Sequence, residues 1–467
     1  MSFNLADMLR ASALAHPDKA FCHSAAGTLS YRRLDELSGL VAAALRDSGL
    51  RDGDRVTVQL PNVPEFVVAY FGILKAGLVM VPVNPMLTPA EAGYQREHSR
   101  ARLHLDRPEQ VDALAARPRA ALPAAATRPD DTAVVIYTSG TTGRPKGAEL
   151  THFQLYMTCT AAGEAFGVRA DDVTLAALPL SHIYGLSSLV NSSVLFGTTL
   201  SLVPRFETGA VLDAVARDRV TVMLGVPTMY HALLAADLGG RDLGSLRIGS
   251  SGGASMPAVV LDAFEKRFGA PVLEGFGMSE TGAAGLLNRP DDRRALSVGR
   301  PLRGIEARIA GTDASGEEHV GELLLKGFAV MKGYLDDPAA TAAAVVDGWL
   351  HTGDLAFRDD DGFYYIVDRI KDLIIRGGYN VYPREVEEVL GTHPAVREAA
   401  VIGRQDDRLG EEVVAVLSLR PGARVTPDEI TAYCRERLAP YKYPREVRFL
   451  PELPKSASGK YLKREMR

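Results

Sequence analysis

Residues 132–147 read TAVVIYTSGTTGRPKG, an apolar run (TAVVI) that passes straight into Tyr137–Gly147. The run reads as a strand. The eleven residues after it hold three glycines, four Ser or Thr hydroxyls and one lysine. Glycine admits positive φ and lets backbone N–H groups face an anion, while the hydroxyls donate further hydrogen bonds. Lys146 supplies a point charge. A strand that ends in such a loop is the framework of a phosphate cradle. It is not a Walker A loop, whose lysine is followed by Ser or Thr, because Lys146 stands between Pro145 and Gly147.

Working outward, residues 31–130 alternate helix-like segments (LDELSGLVAAALRDSGL, PEFVVAYFGILKAG) with short apolar runs (DRVTVQL, LVMVPV). That is the rhythm of an α/β layer fold. Residues 100–130, rich in Ala, Arg and Pro, read as a surface connection. Beyond the loop, TLAALPL, TTLSLVP, VTVMLGV and LRIGSSGG are strand candidates between helical patterns. After Arg300 the pieces shorten to IEARIAG, GELLLKG and FYYIVDR. A further run of strands and helices (KDLIIRGGYNVYPREVEEVL, AVREAAVIG, EEVVAVLSLR, DEITAYCRERL, EVRFL) follows. The expected fold class is α/β. Residues 1–369 form a large N-terminal domain of layered α/β units plus a β-rich part, and residues 370–467 a smaller α+β domain.

The 467 residues are 46% hydrophobic and 24% charged, with a formal charge of −5, which argues against a general nucleic-acid or membrane-surface binder. No signal peptide and no apolar stretch of membrane-spanning length is read, and the expected location is cytoplasmic. Cys22, Cys159 and Cys434 have no paired spacing and read as unlinked thiols of a reducing compartment. Lysine supplies 11 of the 53 basic side chains. Lys146, Lys371 and Lys460 all fall in the motifs described here, where a compact ammonium suits a site better than a planar fork.

YTSGTTGRPKG resembles the phosphate-binding loop of the adenylate-forming superfamily, of acyl-CoA synthetase type, and further signatures follow in order. LPLSHIYG (178–185) is similar to the segment at the acid pocket, SSGGA (250–254) to the adenine-binding segment, and EGFGMSETG (274–282) to the adenylate-binding segment. WLHTGD, DRIK, RGGYN and PKSASGK complete the set. The resemblance implies catalytic roles for Lys460, Glu280, Thr138 and Lys146, with Glu280 also holding Mg²⁺. Nucleotide and CoA contacts fall to Ser139, Gly140, Thr141, Thr142, Gly143, Gly253, Ala254, Glu274, Gly275, Phe276, Gly277, Ser279, Asp354, Ile366, Arg369 and Gly378. It places His182, Tyr184, Ser188, Met278, Ala283 and Ala284 at the acid pocket and Lys371 at the hinge of a mobile C-terminal domain. Phe276 and Ser279 stand where the family more often has Tyr and Thr, and both keep the ring face or the hydroxyl.

The implied activity is an acid–CoA ligase using ATP, Mg²⁺ and coenzyme A. A carboxylate attacks the α-phosphorus of ATP to make an acyl-adenylate, and a thiol then takes the acyl group. The chemistry asks for a metal, a phosphate cradle and a positioned cation rather than a nucleophilic side chain. No Lys, Arg, Asp or Glu stands among the pocket positions, which disfavours diacids and amino acids. A medium- or long-chain fatty acid is favoured over an aryl acid. The alternative is a stand-alone adenylating enzyme that feeds a pantetheinyl carrier or another nucleophile. A non-catalytic adenylate-binding module would be expected to lack Lys460 or Glu280, and both are present. Partners are the small-molecule acid and CoA or a carrier, with no nucleic acid and no membrane span; the oligomeric state is left open.

Overall fold

The strand expected ahead of the phosphate loop is Thr132–Tyr137, with its four central residues buried. It lies inside a six-stranded sheet in the order Gly333–Tyr334, Gly147–Thr151, Thr132–Tyr137, Val79–Pro82, Arg55–Val58, Leu103–Leu105. The protein is seen as a computed structural model, which describes residues 2–116, 120–138, 144–311, 320–455 and 461–467. Four strands of this sheet run parallel, and Gly147–Thr151 returns antiparallel to Thr132–Tyr137. The motif Tyr137–Gly147 therefore joins two antiparallel neighbours. Strands such as VMVP are buried throughout, as a sheet covered on both faces requires.

Residues 100–130 depart from the expected surface connection. Leu103–Leu105 adds to the sheet edge beside Arg55–Val58, and a helix, Pro108–Ala115, packs behind it with Val111 and Leu114 buried. The apolar triplet LHL is too short to stand out by periodicity, yet a waiting sheet edge is enough to recruit it. Pro108 at the first helical turn and Gln110, which accepts from the Arg107 N–H, set the start of that helix.

A second sheet of nine strands carries the remaining expected units. Six of its strands run parallel, in the order Val272–Phe276, Ile248–Ser251, Val222–Gly225, Val173–Ala176, Thr199–Leu202, Ala20–Ser24. The helix His152–Phe166 covers part of this sheet. It begins with a Thr151/Gln154 capping box and stops at Gly167 in the left-handed conformation. A third, antiparallel sheet holds Ile305–Ile309, Gly321–Gly327, Trp349–Arg358 and Tyr364–Arg369. The C-terminal part builds its own sheet from Ile374–Arg376, Tyr379–Val381, Val396–Asp406, Gly410–Leu419 and Glu446–Phe449. It also has its own core around Val386, Val401, Val413 and Ile430. Among the described residues no helix is long and apolar enough to cross a membrane, and the three cysteines are free and buried.

Candidate active site

A cleft of about 2470 Å³ opens where the carboxyl ends of the parallel strands meet the antiparallel sheet and the C-terminal part. This is the usual place for a ligand in an open α/β sheet. It gathers nearly every described residue expected at the site: Thr138, Lys146, His182, Tyr184, Ser188, Gly253, Ala254, the run 274–280, Ala283, Ala284, Asp354, Ile366, Arg369 and Lys371. Gly378 is exposed at φ +83° and does not line the cleft. Ser139, Gly140, Thr141, Thr142, Gly143 and Lys460 lie outside the described residues. Lys455 and Tyr461, on either side of the segment with Lys460, both line the cleft.

At the phosphate-loop end, the Thr138 N–H donates to the Lys146 carbonyl at 2.9 Å and closes the base of the loop. The Lys146 ammonium sits 5.1 Å from the centre of the Tyr334 ring. The Tyr334 hydroxyl in turn donates to Glu280 Oε1 at 2.8 Å. Burial, with Glu280 beside it, pushes the Tyr334 hydroxyl well above its ordinary range, so it remains a donor. Glu280 is 7% exposed and stands on a short 3₁₀ turn, Ser279–Thr281. That turn is fixed by close backbone approach: a β-carbon on Gly277 would lie 2.4 Å from the Ala283 carbonyl oxygen.

The charges here fit a magnesium ion. Mg²⁺ is commonly held by one or two carboxylates plus substrate phosphates rather than by an all-protein cage. Among the described residues no group of three or more His, Cys, Asp or Glu side chains could hold a metal by itself. Glu280 brings a single buried carboxylate to the loop.

Across the cleft, Asp354 and Arg369 face each other in register on neighbouring strands, and Arg369 Nε donates to Asp354 Oδ1 at 2.9 Å. Glu274 takes a hydrogen bond from the Met256 N–H at 3.2 Å, while its Oε2 is buried with no partner among the described residues. Burial pushes its carboxyl up to about 7. From the C-terminal part, Arg384 reaches in: its N–H donates to Asp368 Oδ2 at 2.9 Å, and its guanidinium donates to the Ile366 carbonyl. Burial raises the Asp368 carboxyl and lowers the Lys371 ammonium.

Behind His182 the cleft narrows into a sac. One wall is a single face of a strand and its continuation, Val222, Leu224 and Val226; the opposite wall is a single face of the helix His152–Phe166, Cys159, Ala162, Gly163 and Phe166. A π-helical turn, Tyr184–Asn191, forms the third side and carries Ser188. The Tyr184 N–H donates to His182 Nδ1 at 3.2 Å, and its hydroxyl, pushed up to about 12 by burial, donates to Ser250 Oγ at 3.3 Å. Tyr334 and Arg384 escape the sequence reading, because neither sits in a run whose composition marks it. A cation over an aromatic ring and a helix side chain that reaches a distant strand are visible only in three dimensions.

The chain matches the AMP-binding enzyme family over residues 9–335 and the AMP-binding enzyme C-terminal domain over residues 385–460. It is 40% identical to a feruloyl-CoA synthase of Amycolatopsis sp, covering 94% of this chain and 93% of that protein. It is 34% identical to a long-chain-fatty-acid–CoA ligase of Bacillus subtilis, covering 99% and 94%. Among solved structures, O-succinylbenzoate coenzyme A synthetase from Bacillus subtilis, in complex with ATP and magnesium ion, superposes with a TM-score of 0.88 at 34% identity, covering 98% of each chain.

Proposed function

The chain belongs to the AMP-binding enzyme family, and we propose that it is an acid–CoA ligase that adenylates a monocarboxylic acid with ATP and transfers the acyl group to coenzyme A. The arrangement of Lys146, Tyr334 and Glu280 carries this reading. It sets a cation and a buried carboxylate in the cleft that the Asp354–Arg369 pair also lines. The CoA ligase and synthetase relatives support it.

In this reading the acid lies in the sac with its carboxylate near His182, and the nucleotide lies between Phe276 and Ile366. Asp354 accepts from ribose hydroxyls, which suits an acceptor-only carboxylate. Glu280 holds magnesium, which when bound neutralises charge on the phosphates. Thr138 to Lys146 cradle the phosphates and Ser279 donates to the α-phosphate. Attack by the carboxylate oxygen on the α-phosphorus forms the mixed anhydride with AMP and expels pyrophosphate. Charge gathers on phosphate oxygens in that transition state, so fixed donors and cations supply the catalysis. Lys460 adds the mobile cation. The domain from Ile370 onward then turns about Lys371, removing Lys460 and bringing Gly378 to the channel for the pantetheine thiol. A glycine there keeps a thin channel open. The thiol sulfur attacks the acyl carbon, loses its proton, and AMP leaves.

A panel of carboxylic acids tested for acid-dependent exchange of labelled pyrophosphate into ATP, and for thioester formation with CoA, decides the matter. Exchange and thioester with at least one acid are expected. No exchange with any acid would overturn adenylation, while exchange without a CoA thioester would move the acceptor elsewhere.

A further inference from the structure

The sac behind His182 does not end in hydrocarbon. From Val226 down to Val222 is four residues of extended chain, a depth of about 13 Å at 3.3 Å per residue. At that closed end the lining changes to the hydroxyl residues Thr174, Ser192, Ser193 and Thr198. Thr198 is 1% exposed, and its Oγ1 has no hydrogen-bond partner among the described residues. Immediately before Ser192, Asn191 is 0% exposed. The buried Tyr70 hydroxyl lies within hydrogen-bond reach of the Asn191 amide and close to Cys159 of the helix wall.

Buried polar groups are ordinarily satisfied, and leaving one unmade is costly. An unpartnered buried hydroxyl such as that of Thr198, among other hydroxyl side chains at one end of the sac, calls for a polar occupant. No Lys, Arg, Asp or Glu lines that end among the described residues, so a charged group there would lack a counter-ion.

We propose that the closed end is a subsite for an uncharged oxygen carried on the far end of the acid, with Thr198 its direct partner and Asn191 and Tyr70 the layer behind. The proposal rests on the acid–CoA ligase reading and narrows its substrate class to acids with a hydroxyl, ether or keto oxygen remote from the carboxylate. A site built to hydrogen-bond such an oxygen rejects the analogue lacking it strongly, because its own polar groups are then left unpaired.

Two matched pairs test it in the thioester assay: 4-hydroxycinnamate against cinnamate, and 10-hydroxydecanoate against decanoate. The oxygenated member of at least one pair is expected to have about tenfold or greater kcat/KM, and the pair that responds tells whether the tail is a ring or a chain. Thr198→Val, which removes the hydroxyl at constant shape, is expected to narrow that ratio about fivefold; Ser192→Ala serves should that variant not fold. Deoxy acids used as well as their partners in both pairs overturn the subsite. A ratio that Thr198→Val leaves unchanged overturns the role of Thr198. Turnover of neither pair, with other acids active, also sinks the subsite, whereas no pyrophosphate exchange with any acid sinks the ligase reading beneath it.

Discussion

Glu280 accepts from the Tyr334 hydroxyl at one carboxylate oxygen. Glu280→Gln retains an acceptor for that tyrosine and loses only the charge. Pyrophosphate exchange should fall roughly 10²–10³-fold, with a higher magnesium requirement measured by titration. Lys460→Ala should abolish exchange yet spare thioester formation from a supplied acyl-adenylate, and equal loss in both half-reactions would refute its role. Glu274 makes a prediction of a different kind. Burial lifts its carboxyl from 4.5 to about 7, so between those values the native chain holds a proton the unfolded chain has released. Its contribution to stability is complete below 4.5 and lost as pH rises through 7. The loss amounts to about 3 kcal/mol at about 1.4 kcal/mol per tenfold change in proton affinity. Denaturant midpoints should show Glu274→Gln gaining on the parent by about that much between about pH 5 and about pH 8. A pH-independent gap would show that the carboxyl titrates normally.

The helices Tyr31–Asp47 and Pro64–Lys75 are joined by more than apolar packing. Lys75, 4% exposed, donates to Asp35 Oδ1 at 2.6 Å and to the Asp35 carbonyl at 2.7 Å. Removing one member of a buried pair strands the other, so Lys75→Ala should cost about 3–5 kcal/mol in denaturant unfolding. Pyrophosphate exchange by the chain that remains folded should change little. Such bonds mark the limit of what the chain alone discloses. Runs such as TAVVI, VTVMLGV and EEVVAVLSLR declare strands, because β-branched residues bounded by turns have few other uses. The helix cores at 31–47 and 64–75 are equally plain. The edge strand Leu103–Leu105 is not, since three residues carry no period. The same holds at the site: motifs packed with glycine and hydroxyls can be read directly, whereas Tyr334 matters only through Glu280 and Lys146, far along the chain.

At the scale of the whole molecule, Arg384 joins the two parts through hydrogen bonds. Arg384 spans from the C-terminal helix Pro383–Gly391 to Ile366 and Asp368 on the third sheet. Lys463 bonds Glu387 at 2.8 Å; burial opposes its charge, but Glu387 and Asp368 together raise its pKa above the ordinary value. Arg384→Ala should release the C-terminal part and speed limited proteolysis within residues 370–380 about tenfold, the equivalent of about 1.4 kcal/mol of opening. An unchanged cleavage rate would place the restraint elsewhere. The wall that meets the acid has a different distribution along the chain. On the proposed reading most of it runs from Cys159 to Thr198, while the residues assigned to phosphate and ribose lie outside that stretch. In heritable terms, appetite and engine occupy separate text. A single recombination across this stretch would replace two of the three sides of the sac and leave the wall of Val222, Leu224 and Val226 in place. A smaller edit reaches one of those sides: losing one residue from the π-helical turn Tyr184–Asn191 would rewind it toward an α-helix and swing Ser188 by about 100°.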